Sequence, residues 1–241
     1  MSLYKLYLES GPRLKKTMVH VLGLLGCIAN APTTDDALDK TPGAIREFLY
    51  FLYRHGTQVD LEAPVETQIV EHITEGVWLG NGDPSLVFEP DLEPFSPDEL
   101  ETLIERLEWM RCDMVDLVNG LSTAQRQEKP QPRGRSIQEI MGHILESEYA
   151  YMRAFGKLEG LPGLGSIVKK KEGDMLDWMG YVREREIERL RSLDEQQLSE
   201  PFIHWKYTRT ARKVMRRMLE HQWEHLVEIR LMSDNSTAAH R

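Results

Sequence analysis

Two histidines one helical turn apart, His221 and His225, are the residues best suited to chemistry in this sequence. Residues at positions i and i+4 share one face of a helix, so both imidazoles can bind a single metal ion. On a helical projection the pair falls on or beside an apolar stripe that consists of Val214, Met218, Ile229 and Met232. We therefore expect both imidazoles to point into the protein interior.

A third histidine, His143, lies on the shoulder of the apolar stripe of a second predicted helix. Such a position can face a diagonal neighbour in a helical bundle, which would bring three imidazoles together. Three neutral nitrogen ligands leave a coordination position open for water or substrate, which is typical of a catalytic metal site. Zinc, nickel and iron all accept this ligand set. The alternative is that these are core histidines with ordinary hydrogen bonds, since the spacing also arises by chance.

Two glutamates near these histidines in sequence, Glu146 and Glu224, are candidate catalytic residues. Either carboxylate could orient a histidine or accept a proton from a metal-bound water. On the helical projection both point away from the apolar stripes. We therefore expect them, together with Glu220 and Glu228, to lie in solvent.

Composition predicts a soluble protein with a real core. The 241 residues are 41% hydrophobic and 29% charged, and no apolar run approaches the roughly 20 residues that span a bilayer. No secretory signal is visible at the N-terminus, which favours a cytoplasmic protein with no membrane association. Cys27 and Cys112 form no metal-binding pair, and we expect both to be small core residues.

The net charge of −9, from 30 basic and 39 acidic residues, disfavours a general nucleic-acid binder. A basic run does occur near the C-terminus, and it comprises Arg209, Arg212, Lys213, Arg216 and Arg217. We interpret this run as a solvated helix face that pairs with acidic residues of the preceding helix, namely Glu184, Glu186 and Glu188. Nucleic-acid binding through the run remains an alternative.

Four X-Pro steps between residues 80 and 97 oppose helix formation and divide the chain into two parts. Before this stretch, alternating segments at 4–9, 17–21, 26–30 and 67–78 predict strands. A helix is predicted from Thr33 or Thr34 to His55, and Pro42 should kink or split it. The order β-β-β-α-β indicates a small α+β module.

After the proline-rich stretch the periodicity is helical throughout. Capping boxes at Ser96 and Ser136 open helices that run to Leu121 and Gly156. A third helix covers residues 174–193, and a fourth begins near Thr208 or Thr210 and ends near residue 233. Four amphipathic helices with such connections predict an all-α four-helix bundle.

The sequence of residues 135–148, with 207–214 and 220–225, resembles the second and last helices of DinB-like four-helix-bundle proteins. The resemblance covers residues 95–235. It implies that His143, His221 and His225 bind a divalent ion. It also implies a small-molecule substrate, because family members of known activity are mostly metal-dependent transferases or isomerases that use a low-molecular-weight thiol, with some hydrolases.

The sequence of residues 24–27 and 32–38 resembles the HicB-like antitoxin fold, over residues 1–90. The DNA-binding element that usually follows this fold is replaced here by the helical bundle. The resemblance therefore implies an accessory lid or a domain that binds a protein partner. Two further possibilities stay open: a catalytically idle scaffold, and a homodimer formed through the bundle.

Overall fold

The structure is a computed structural model that describes residues 2–131, 134–156 and 174–239. Contacts between residues divide the chain into two compact units. The first unit comprises Met1–Pro94 and Glu200–Glu220, and the second comprises Phe95–Ser199 and His221–Arg241. Each unit is thus assembled from two separate stretches of sequence.

A four-stranded sheet is the centre of the first unit. Its elements are β1 (Ser2–Gly11), β2 (Lys16–Val21), β3 (Ile28–Ala31), helix α1 (Thr34–Arg54) and β4 (Val65–Ile73). The strand order is β3-β2-β1-β4, with β1 antiparallel to β2 and parallel to β4. Strands β3 and β4 also run in the same direction, so the chain between them must cross over the sheet. Helix α1 lies in this crossover connection. The predicted order β-β-β-α-β is therefore present.

Helix α1 begins at a polar cap, where Thr33 Oγ1 accepts a hydrogen bond from the Asp36 backbone N–H at 3.1 Å. The sequence predicts that Pro42 kinks or splits this helix, and the split is wrong, because Thr34–Arg54 is one element. Fully buried side chains lie both before and after the proline, among them Ala37 and Ile45. Packing of this continuous face offsets the roughly 3 kcal/mol that an internal proline costs.

A short hairpin precedes the last helix and was not predicted. It consists of β5 (Phe202–His204) and β6 (Tyr207–Arg209). Of the two predicted starts of the last helix, Thr208 lies in β6, whereas Thr210 directly precedes the helix. The two-residue turn places Trp205 at φ +61°, a conformation that normally selects glycine or asparagine. The usual turn signal is therefore missing from the sequence.

The basic run at the start of the last helix, α7 (Ala211–Ala239), is not the solvated face that the sequence predicted. Arg216 and Lys213 are each only 1% exposed. Arg216 Nε and Nη2 donate to the two carboxylate oxygens of Asp91 at 2.7 and 2.9 Å, and Lys213 Nζ donates to the Pro84 carbonyl at 2.9 Å. Their partners lie more than 120 residues earlier, which sequence patterns do not reveal.

Glu220 is also buried, against the prediction that it lies in solvent. His20 Nδ1 lies 2.7 Å from one of its carboxylate oxygens, and Arg217 donates to the other at 2.6 Å. Burial alone would raise the pKa of Glu220, but these cations outweigh it and hold that pKa well below its usual range. The same contact raises the pKa of His20 despite its burial. The interior of the first unit therefore contains paired charges.

The second unit is helical. It contains α2 (Pro97–Asn119), α3 (Thr123–Gln127), α4 (Ile137–Met152), α5 (Met175–Arg191), α6 (Glu195–Ser199) and the part of α7 from residue 221 onward. The four long helices are those that the sequence predicted, and both capping boxes are formed. Cys112 is exposed on α2 and is not a core residue as predicted, whereas Cys27 is buried. Within the described residues, no helix is long and apolar enough to cross a membrane.

Candidate metal centre

The three histidines singled out by the sequence lie together in the second unit. Helix α4 carries His143, and α7 carries His221 and His225. The Nε2 atom of His221 lies 3.1 Å from that of His143 and 3.2 Å from that of His225. Ligands bonded to a tetrahedral zinc ion at 2.0–2.1 Å are separated by about 3.3 Å. The spacing of the three nitrogens thus fits a single divalent ion.

The protonation state of His143 also suits a ligand. Burial lowers its pKa to about 4, with further lowering from the positive charge of Arg135. The imidazole is therefore neutral at pH 7, as metal binding requires. Neutral imidazoles whose lone pairs converge at this distance repel one another unless a proton or a cation lies between them. The three nitrogens can therefore be joined either by hydrogen bonds that share ring protons or by a metal ion at their centre.

Glu228 fixes the orientation of one candidate ligand. The Nδ1 atom of His225 lies 2.6 Å from a carboxylate oxygen of Glu228. Because this hydrogen bond lowers the pKa of Glu228, the carboxylate is ionised and only accepts, so the proton lies on Nδ1. The lone pair of Nε2 then faces the other two histidines. The helical projection predicts Glu228 in solvent, but its i+3 spacing from His225 permits this contact.

We expect Glu228→Ala to lower the affinity for zinc by about 10- to 100-fold, because His225 would lose the acceptor that sets its tautomer. Competition with a chromophoric chelator measures this affinity. Glu184→Ala removes the same charge from a side chain that is 70% exposed and serves as the control. Equal affinities for the Glu228 and Glu184 variants would contradict the orienting role.

A hollow of about 410 Å³ adjoins His143. Its wall includes Ser136, Gly142, Glu146 and Met175. Glu146 is exposed and lies one helical turn beyond His143, so it can meet a molecule bound in the hollow. Glu224, the other candidate catalytic residue, is half-buried and lies close enough to raise the pKa of His143.

A second polar cluster, which no sequence pattern predicts, is buried in the same unit. Glu148 of α4 accepts hydrogen bonds from Arg111 at 2.6 and 2.7 Å and from Arg183 at 2.6 Å. Both guanidinium groups also donate to Gln222 Oε1 at 3.0 Å. Gln222 directly follows the candidate ligand His221. The same turn of α7 therefore positions both a member of this cluster and a candidate ligand.

Glu186 belongs to this interior and not to a surface pair with the basic run, as the sequence predicted. Its side chain is fully buried, and a carboxylate oxygen lies 3.2 Å from Arg183 Nη1. Burial, with the negative charge of Glu148, raises the pKa of Glu186 to about 8. The fold therefore favours the protonated form of this residue.

Comparison with known proteins places the helical part in a family. The model of the DinB superfamily matches residues 106–229, a range that contains all three histidines. Among solved structures, the chain is similar to YfiT from Bacillus subtilis, described as a probable metal-dependent hydrolase with an unusual four-helix bundle topology. The two are 16% identical, the match covers 60% of this chain and 91% of YfiT, and the TM-score is 0.47.

The chain is also similar to the DinB-like protein YjoA from Bacillus subtilis. The identity is 18%, the match covers 56% of this chain and 92% of YjoA, and the TM-score is 0.46. No curated protein matches the chain significantly.

Proposed function

Because the chain belongs to the DinB superfamily, we propose that it is a divalent-metal-dependent enzyme in which His143, His221 and His225 hold the ion. The observation that carries this proposal is the convergence of their ligand atoms within 4.8 Å of one another. An all-imidazole set suits zinc, nickel or iron. Such an ion lowers the pKa of a thiol or water at its open position and so supplies a nucleophile near neutral pH.

The residues of the chain itself have distinct roles in this proposal. Glu228 orients His225, and burial keeps His143 neutral. Glu146, in the wall of the hollow, accepts the proton that the nucleophile releases, with Glu224 as the other candidate base. The hollow, at about 410 Å³, is large enough for a small electrophilic molecule.

We assign the reaction to transfer or isomerisation with a low-molecular-weight thiol. This choice rests on the resemblance of residues 135–148 and 207–225 to DinB-like proteins. Metal-dependent hydrolysis is the second candidate, because the same open position can take water. The opposing hypothesis is a catalytically idle scaffold in which the histidines only pack.

We further propose that residues 1–90 form a HicB-like accessory domain for a protein partner, and that residues 95–235 form the catalytic bundle. The strand order β3-β2-β1-β4 with one crossover helix supports an α+β domain, and residues 200–220 belong to the same compact unit. The cytoplasm is the proposed location, and association into a homodimer is compatible with this organisation.

Metal content is the first test. The protein is purified without a metal-affinity tag and analysed for transition metals beside a variant with alanine at positions 143, 221 and 225. About one metal per chain, lost in the variant, would support the proposal. The absence of metal from the wild-type protein after reconstitution would favour the scaffold hypothesis.

The metal-loaded protein is then tested for two reactions. Consumption of 2-mercaptoethanol in the presence of an electrophile such as an alkyl halide would support thiol transfer. Hydrolysis of an activated ester without added thiol would support the hydrolase. The triple variant provides the background rate for both reactions, and loaded wild-type protein at that background in both would contradict an enzymatic role in either class.

A further inference from the structure

The outer edge of the sheet in the first unit is open. Strand β4 pairs with β1 on one side, and no strand of the described residues pairs with its other side. The side chains of residues 66–70 are all exposed, among them Ile69 at 49% and Val70 at 47%. An edge strand presents unpaired N–H and C=O groups, so this edge can accept a further strand.

Strand β4 has little of the protection that such edges usually carry. Short length, lysines and prolines commonly block an edge, but β4 is nine residues long and contains neither Lys nor Pro. A β-bulge does interrupt its register with β1, because Val70 is skipped there. Val65–Ile69 precedes the bulge and is registered with Ser2–Leu6 without a shift. A further strand can therefore pair regularly with these residues.

The charge around this edge is acidic. Residues 55–80, which include β4, contain no Lys or Arg and have five acidic side chains, namely Asp60, Glu62, Glu66, Glu71 and Glu75. The one basic residue of β1, Lys5, is registered with Gln68. Within the described part of the chain, neither Lys5 nor Glu66 forms an ion pair. The negative charge of the edge is thus available to a basic partner.

The alternation of side chains along β4 defines the segment that fits. Successive residues of a strand point to opposite faces of the sheet. Val65, Thr67 and Ile69 therefore share one face, and Glu66 and Gln68 share the other. Cross-strand neighbours stabilise a pair when apolar side chains meet or when opposite charges meet. The fitting segment has apolar residues on the first face and basic residues on the second.

A second copy of this chain meets these requirements poorly. Antiparallel pairing of Val65–Ile69 with itself about Thr67 places Glu66 opposite Gln68 and brings two acidic edges together. No Lys or Arg in residues 55–80 offsets that repulsion. The charge therefore favours a different protein as the source of the added strand.

We propose that the outer edge of β4 docks an extended segment of a partner protein in which apolar and basic residues alternate, and that this segment joins the sheet as a fifth strand. The inference rests on the accessory role proposed for residues 1–90, and it adds the surface and the chemistry of the contact. Backbone hydrogen bonds hold the segment, and the side chains of Glu66 and Ile69 select its sequence.

Short labelled peptides test the proposal with the full-length protein, and fluorescence anisotropy measures their affinities. In the first peptide, lysine alternates with valine or isoleucine. The second has the same sequence with N-methyl groups on two adjacent central residues, which removes backbone donors from both of its edges and keeps its charge. The third has glutamate in place of each lysine. We expect the second and third peptides to bind at least about tenfold more weakly than the first.

Substitutions in the protein distinguish this edge from a general attraction of charge. In Glu66→Lys we expect the first peptide to bind about tenfold more weakly, because a cross-strand attraction becomes a repulsion. Glu66→Gln removes only the attraction and should have an intermediate effect. Glu105→Lys is the matched control, since it changes the total charge as Glu66→Lys does, at an exposed position of α2 in the other unit. It should bind the peptide like the wild type.

Hydrogen exchange locates the contact. The first peptide should slow the exchange of backbone amides within Val65–Ile69, because their outward N–H groups become hydrogen-bonded. Slowed exchange elsewhere in residues 1–90 would overturn the docking site and leave the accessory role standing. Slowed exchange only outside residues 1–90 would overturn both.

The remaining outcomes are equally decisive. Equal affinities for the first two peptides, or equal losses in Glu66→Lys and Glu105→Lys, would overturn the docking site. A dimer in which Val65–Ile69 is protected without peptide, and loses that protection on dilution, would assign the edge to a second copy and overturn it as well. Metal content, measured in the same samples, reports separately on the proposed metal centre.

Discussion

Replacing His221 with alanine should lower the affinity for zinc by more than about a hundredfold. Loss of a side chain that only orients a ligand already costs 10- to 100-fold, and loss of the ligand itself costs more. His221 is the central member of the set, with its Nε2 atom within 3.2 Å of both other Nε2 atoms. Two remaining imidazoles would form an incomplete site. Competition with a chromophoric chelator measures the change.

Thermal unfolding provides a second readout of the same substitution. A ligand that binds only the folded state at 100 times its Kd stabilises that state by about 2.7 kcal/mol. Zinc should therefore raise the Tm of the wild-type protein and leave that of His221→Ala nearly unchanged. His72→Ala, at an exposed position on β4, should behave like the wild type. A zinc-dependent Tm in His221→Ala equal to that of the wild type would exclude this histidine as a ligand.

The prediction of long elements from sequence succeeded where one periodicity was sustained. The four long helices of the second unit each extend over 16 residues or more, so their apolar stripes repeat several times. The hairpin before α7 has strands of only three residues, too short for an alternating pattern to appear. Its turn, with Trp205 in place of glycine, gave no signal either.

The candidate ligands could be predicted because helix geometry relates His221 to His225 within one turn, and an apolar stripe indicates the direction in which they point. The buried charges could not. A helical projection assigns Glu220 or Arg216 to solvent, since an unpaired charge is too costly to bury. These side chains are buried because each has a charged partner, such as Asp91 for Arg216, that is distant in the chain. Periodicity carries no information about such a pairing.

Glu148→Ala should destabilise the protein by about 3–5 kcal/mol. The substitution would leave the guanidinium groups of Arg111 and Arg183 buried without the carboxylate that both contact. Glu186, which favours its protonated form, cannot replace it without ionising in the interior. The free energy of unfolding in urea, followed by circular dichroism, measures the loss. Glu101→Ala removes a carboxylate of a half-exposed pair with Arg191 and should cost at most about 1 kcal/mol.

The dependence of stability on pH tests the same cluster independently. Burial would raise the pKa of Glu148, but Arg111 and Arg183 outweigh it and hold that pKa below its ordinary value. A depressed folded-state pKa gives stability that is present above the unfolded value, near 4.3, and is lost as the pH falls through the folded value. Glu148→Ala lacks this contribution, so its stability should fall less steeply on acidification than that of the wild type. If Glu148→Ala is too unstable to study, Glu148→Gln keeps the volume and an acceptor and should show the same flattening. If acidification lowered the stability of the wild type and of Glu148→Gln equally, the contacts of the two arginines with Glu148 would not depend on its negative charge.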